Sequence, residues 1–178
     1  MCNHEKTKSV KATKDVAGLV FAYSTKECVA CGSVLWSQSI EGKFQAWLGD
    51  QRKENPNKFV VQKVQIARDL AAFATELAEK NHTNESAVFQ ACLSLYFVLA
   101  SKRPELSKAI EKIEPGAEHP TAKKFRVNPK LFVKLDANAK AFGLSMNEVA
   151  SWVIQRVLWA ARAGIEATRE ELEFALAA

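Results

Sequence analysis

The sequence of 178 residues contains no apolar run that approaches the ~20 residues of a membrane-spanning helix. Its first ten residues, MCNHEKTKSV, are polar and lack the apolar stretch of a secretory signal. These two absences predict a cytoplasmic protein, located at the nucleoid if the source is prokaryotic, without a membrane partner.

Sequence motifs of common catalytic sites are also missing. There is no nucleophile elbow, no phosphate-binding glycine loop and no carboxylate pair in a supporting context. We therefore do not expect an enzyme.

The chain carries more positive than negative charge, and its charged residues are unevenly distributed. The formal net charge is +5 and the pI is about 9.0. Lysine and arginine are frequent in the first 14 residues, around 52–68 and around 123–134, whereas the tail after Ala163 is acidic. A basic side of this kind suits a polyanionic partner such as a nucleic acid.

Cysteine is scarce, with four in the chain, and three of the four lie in two short clusters. Residues 2–4 (Cys-Asn-His) and 28–32 (Cys-Val-Ala-Cys-Gly) supply the ligand types of a tetrahedral zinc site, and the run 19–23 between them could supply a strand. We expect a zinc-ribbon-like module over residues 1–40. Its structural Zn²⁺ would be held by Cys2, His4, Cys28 and Cys31. A redox-active CxxC pair and unrelated thiols are the alternatives.

After a bridge over residues 41–57, a strand–helix–helix pattern begins over 58–101. Apolar alternation over 58–66 predicts a strand, and apolar residues at helical spacing predict two helices. The first helix should end near Asn81, which tolerates the left-handed conformation, and Thr83 should cap the second.

The pattern returns over 123–178, together with a C-terminal helix, after a linker over 102–122. Pro129 suits a first helical turn, Gly143 suits a helix end, and Ser145 with Glu148 forms a capping box. The helices align at an offset of 62 residues (Asn81 with Gly143) and the strands at 61. We interpret this as an internal duplication with one residue gained or lost inside the first helix.

The stretch FRVNPKLFVKLDANAKAFGLSMNEVASWVIQRVL, residues 125–158, resembles the ribbon-helix-helix (Arc/MetJ-type) superfamily. The first copy is less similar, with Asn81-His82-Thr83 where Gly-Leu-Ser is typical. The resemblance implies a mainly α fold with a short antiparallel β-ribbon, formed when two units intertwine and their strands pair. Two units on one chain would form a pseudo-dimer from a monomer, or a higher homo-oligomer on DNA. Such a ribbon fits the major groove of double-stranded DNA.

The resemblance also implies which residues contact DNA. Residues that alternate outward from the ribbon would meet base edges: Lys63 and Gln65, with Val61 next, and Lys124, Arg126 and Asn128. The N-termini of the second helices would contact phosphates through Thr83, Asn84, Ser145 and Asn147. A solvated strand face and plain helix capping are the alternative interpretations.

The sequence therefore predicts a sequence-specific DNA-binding regulator, most simply a transcriptional repressor. A conjugation or partition accessory protein would use the same ribbon. The alternative class is a protein-interaction adaptor or antitoxin, in which degenerate units have lost DNA contact and the zinc module binds a protein.

Overall fold

The computed structural model describes residues 4–55, 58–102, 104, 108, 111, 112, 114, 120–165 and 168–177. Helices are the main element of these residues, accompanied by two small antiparallel sheets. This confirms the predicted mainly α fold with a small β component. The chain divides into two compact units, Met1–Phe59 and Val60–Ala178. Among the described helices, none is long and apolar enough to cross a membrane.

The first unit is a three-stranded antiparallel sheet with one helix. In chain order its elements are β1 (Thr7–Val16), β2 (Leu19–Cys28), β3 (Val34–Leu35) and α1 (Gln38–Glu54), and β2 is the central strand. Ala17 and Gly18 join β1 to β2 with φ values of 57° and 72°. Two left-handed residues in a two-residue loop match the right-handed twist of a hairpin.

The predicted bridge, residues 41–57, falls mostly within helix α1. The Ser37 hydroxyl caps this helix by accepting a hydrogen bond from the Ile40 N–H at 3.3 Å. Ile40, Phe44 and Leu48 are buried at helical spacing, and the Phe44 ring centroid lies 5.3 Å from that of Phe21 on β2. The bridge is therefore part of the first unit and contributes Phe44 and Leu48 to its core.

The second unit repeats a strand followed by two helices. Its elements are β4 (Val60–Ala67), α2 (Arg68–Lys80), α3 (Glu85–Lys102), β5 (Pro120–Arg126), α4 (Pro129–Phe142), α5 (Met146–Arg162) and α6 (Thr168–Ala177). Most of the predicted linker, residues 102–122, lies outside the described residues. Cys92 is fully buried on α3.

Three features of the two copies share an offset of 61 residues. This spacing separates the helix starts, the left-handed residues after the first helices, and the caps of the second helices: Arg68 and Pro129, His82 and Gly143, Asn84 and Ser145. These positions follow an offset one residue smaller than the predicted 62, which holds only for the ends of the first helices, at Lys80 and Phe142.

In the turn between α2 and α3, two positions differ by one residue from the prediction. Asn81 has φ −98°, and the left-handed residue is His82 with φ 50°. The cap of α3 is Asn84, whose side-chain oxygen accepts a hydrogen bond from the Ala87 N–H at 3.1 Å. Thr83 stands before the cap, and its own N–H donates to the Ala78 carbonyl at 2.9 Å. Thr83 therefore closes the preceding helix rather than starting the next.

Strands β4 and β5 pair antiparallel in a two-stranded sheet. Val64 lies opposite Lys123, but Val61 lies opposite Phe125, so β4 has one extra residue between Val61 and Val64. A bulge of this kind reverses the alternation beyond it. Val61 is consequently buried at 1% exposure, and its prediction as an outward residue is wrong.

Candidate nucleic-acid interface and metal centre

The β4–β5 ribbon has one buried and one exposed face. Val64, Ile66 and Phe125 are buried, and the Phe125 ring meets Phe89 of α3 edge-on at 5.3 Å between centroids. The opposite face exposes the four predicted ribbon residues Lys63, Gln65, Lys124 and Arg126. The face thus carries three cations and one carboxamide, all donors that can reach base edges or phosphates.

A row of polar side chains on α5 holds the outer edge of β4. Asn147, Ser151 and Gln155, spaced four apart, accept hydrogen bonds from the backbone N–H groups of Lys63, Gln65 and Ala67 at 3.5, 2.9 and 3.3 Å. An edge strand normally leaves such groups unpaired. The second helix of one copy therefore fixes the strand of the other. It does so in part through the side chain of Asn147, a residue predicted to lie at a phosphate-binding helix start.

Asn128, predicted to contact a base at the end of the second strand, lies beyond β5 as a helix cap. Its side-chain oxygen accepts a hydrogen bond from the Lys130 N–H at 2.9 Å. Its own N–H donates to the Gln90 side-chain oxygen on α3 at 2.8 Å. Gln90 therefore holds the chain just after the second strand through one hydrogen bond. We leave Asn128 out of the base-contacting set.

Lys123 points to the inner side of the ribbon and forms an ion pair with Glu85, the first residue of α3. Its ammonium lies 2.8 Å from the carboxylate, which also accepts a hydrogen bond from Thr75 at 2.8 Å. Burial disfavours the charged form of Glu85, but these two donors outweigh it and lower the pKa of the carboxyl. The first turn of α3 thus already holds an anion beside Asn84.

The N-terminus of α5 also holds its own carboxylate. Ser145 accepts a hydrogen bond from the Glu148 N–H at 3.2 Å, and Glu148 accepts one from the Ser145 N–H at 2.7 Å. This is the predicted capping box, and the Ser145 N–H lowers the pKa of Glu148. Because both helix starts carry a carboxylate, they attract phosphate less than an uncharged helix start would.

The predicted metal residues meet at one end of the first unit. β2 ends at Cys28, the chain turns through Cys31 and the left-handed Gly32 (φ 70°), and β3 returns antiparallel along β2. His4 precedes β1, which runs alongside β2 on its other edge. The ligand atoms of His4, Cys28 and Cys31 all lie within 4.8 Å of one another, so these three residues could hold a metal ion.

The separation of one ligand pair is compatible with a tetrahedral ion of the zinc type. Zn–S bonds of ~2.3 Å and Zn–N bonds of ~2.0 Å at a tetrahedral angle place sulfur and nitrogen roughly 3.6 Å apart. The Cys31 sulfur and the His4 Nδ1 are separated by 3.6 Å. Cys28 is buried and Cys31 exposed, so one side of the group is shielded from solvent. Cys2, the fourth predicted ligand, lies outside the described residues.

Comparison of the chain with protein-family models, with curated proteins and with solved structures gave no match. The interpretation of both sites depends on the residues themselves. Sequence reasoning missed the α5 row, although its signal is in the sequence: three hydrogen-bonding side chains recur every four residues along a helix that is otherwise largely apolar.

Proposed function

We propose that the second unit is a tandem ribbon-helix-helix pseudo-dimer that binds double-stranded DNA in a sequence-specific manner as a regulator. The observation that carries the proposal is the β4–β5 ribbon, paired antiparallel with its inner face buried and its outer face exposing Lys63, Gln65, Lys124 and Arg126. Hydrogen bonds in both directions between the copies support it, since Ser151 of the second copy bonds Gln65 and Gln90 of the first copy bonds Asn128.

The chemistry of the outer face suits the major groove. Arginine and lysine donate to guanine O6 and N7, and glutamine can pair with adenine through two hydrogen bonds. Helix side chains bond the backbone of β4 and of Asn128 after β5, so the ribbon backbone is fixed before binding and less order is lost when DNA binds. The two strands differ in sequence and β4 carries a bulge. We therefore expect an asymmetric DNA site rather than a palindrome.

Fluorescence anisotropy with random and genome-derived duplexes over a range of salt concentrations tests this function. Loss of one good base contact costs about 1–3 kcal/mol. We expect Lys124→Ala with Arg126→Ala to reduce the preference for the selected sequence at least about tenfold and to lower the salt dependence. The charge-matched control is Lys134→Ala with Lys112→Ala, which removes two exposed cations outside the ribbon.

Two results would oppose the function. One is equal, weak binding of all sequences by the wild type and the ribbon variant. The other is an equal loss of affinity in the control, which would assign the effect to net charge. Failure of the wild type to bind any duplex, combined with recovery of a bound protein, would favour the adaptor or antitoxin class.

We also propose that His4, Cys28 and Cys31 bind a structural Zn²⁺, with Cys2 as the fourth ligand. The mixed thiolate and imidazole set, with its ligand atoms within 4.8 Å of one another, supports zinc over the hard cations, which prefer oxygen ligands. Four protein ligands leave no position for a reacting group, so the ion would hold the ends of β1 and β2 together. Its removal should therefore loosen the first unit.

A further inference from the structure

An apolar groove runs between α3 and α6 on the second unit, and neither proposed site uses it. Its volume is about 600 Å³, and its α3 wall presents one face of the helix through Leu95, Val98 and Leu99. The α6 wall presents Phe174 and Ala175. Charged groups of both signs also line it: Lys102 on α3, with Glu170 and Glu171 on α6.

Phe174 is the most exposed of the large hydrophobic residues described, at 77%, and Val98 across the groove is 39% exposed. Elsewhere on the same helix, Leu172 is fully buried, so α6 is already anchored without Phe174. The packing of α6 therefore does not explain why the Phe174 ring is exposed next to an open apolar groove. Such a patch with a polar margin is typical of a protein–protein contact.

We propose that a second copy of this chain covers the groove, and that Phe174 of each copy inserts between α3 and α6 of the other. A two-fold contact requires one surface that is complementary to itself. This surface carries a projecting ring beside a groove that can accept it, and it carries Lys102 together with Glu170. Although the chain has a net charge of +5, Glu170 and Glu171 line this groove. Their carboxylates disfavour a nucleic acid, which is a polyanion, as the occupant.

The oligomeric state of the full chain, measured without DNA by sedimentation at micromolar concentrations, tests the proposal independently of DNA binding. We expect a dimer in the wild type. Phe174→Ser should raise the dimer Kd about 30-fold or more, as for a central interface anchor. Phe142→Ser is the matched control, because Phe142 is 67% exposed on α4 and is not among the residues of the groove.

A charge exchange makes the test specific for this surface. Lys102→Glu and Glu170→Lys should each raise the dimer Kd about fivefold, and the double variant should restore most of the loss because the exchanged charges attract again. Circular dichroism checks that each variant is folded. A monomeric wild type overturns the proposal, as does a dimer that Phe142→Ser dissociates while Phe174→Ser leaves it intact, or a double variant weaker than both single ones.

Discussion

The hydroxyl of Ser151, in the second copy, accepts a hydrogen bond from the backbone N–H of Gln65, in the first copy, at 2.9 Å. The same hydroxyl donates to the Asn147 carbonyl at 2.6 Å. Ser151 is 9% exposed, so this contact is largely shielded from water. The hydroxyl therefore links the backbone of helix α5 to the edge of the ribbon and couples the two copies.

Ser151→Ala leaves the Gln65 N–H without its acceptor. A partly buried donor without a partner costs about 1–3 kcal/mol of unfolding free energy, which urea unfolding of the second unit's helices, followed by circular dichroism, measures. The control is Ser101→Ala at the exposed end of α3, where the hydroxyl only donates to the Val98 carbonyl. Equal effects of the two substitutions would mean that the Ser151 contact does not join the copies.

The bulge in β4 gives adjacent valines different environments. Val61 is buried at 1% exposure, whereas Val60, opposite Arg126, is half-buried. Val61→Ala should lower the unfolding free energy by about 2 kcal/mol, through lost apolar burial and the cavity left behind. Val60→Ala, the matched control, should cost clearly less. A larger loss of unfolding free energy for Val60→Ala than for Val61→Ala would contradict this register. It would indicate that β4 alternates without a bulge.

The second copy could be predicted from sequence almost to the residue because its signals are local. Pro129, Gly143 and the Ser145–Glu148 capping box each act within one helical turn, and the structure has all of them. The first copy lacks a glycine at the corresponding turn. The sequence therefore favours Asn81 for the left-handed position, whereas His82 adopts it, and the predicted cap of α3 is one residue too early.

Features that depend on distant contacts could not be predicted. The bulge is defined only by the pairing of β4 with β5. The sequence from Val60 to Ile66 is equally compatible with a strand that alternates without a bulge. Strand β1 shows little apolar alternation because Lys14 lies on its covered face, where the ammonium is 4.3 Å from the Phe44 ring centroid. The sequence does not distinguish a lysine that packs against aromatic rings from a lysine that is solvated.

The ion pair of Glu85 and Lys123 predicts a pH-dependent stability. The pKa of Glu85 is lowered on folding, so the pair stabilises the protein above the ordinary value of 4.5 and loses its effect as the pH falls through the folded pKa. Glu85→Gln should therefore be less stable than the wild type near neutral pH, and the difference should disappear under acid conditions. Glu79→Gln, at an exposed site on α2, is the control. A difference that persists or grows in acid would refute the ion-pair explanation.

Metal analysis by mass spectrometry tests the zinc proposal. The purified chain should contain about one zinc ion, and Cys28→Ser, Cys31→Ser and His4→Ala should each reduce that content. Cys92→Ala should retain it, because Cys92 is buried in the other unit. A chelator should lower the melting temperature of the wild type and change that of Cys28→Ser little. A wild type that is folded, free of metal and indifferent to the chelator would sink the proposal.

The equivalent turns of the two copies provide a paired test of the 61-residue offset between His82 and Gly143. His82 and Gly143 are both left-handed, with φ values of 50° and 65°, and this conformation costs a residue with a Cβ atom about 1 kcal/mol. Gly143→Ala should lower the unfolding free energy by about that amount, and His82→Gly should raise it by up to the same amount. Asn81→Gly, the change that an offset of 62 would favour, should destabilise α2, because Asn81 has φ −98° and its side chain donates to the Leu77 carbonyl. If Asn81→Gly stabilised the protein and His82→Gly did not, the offset of 61 would be incorrect.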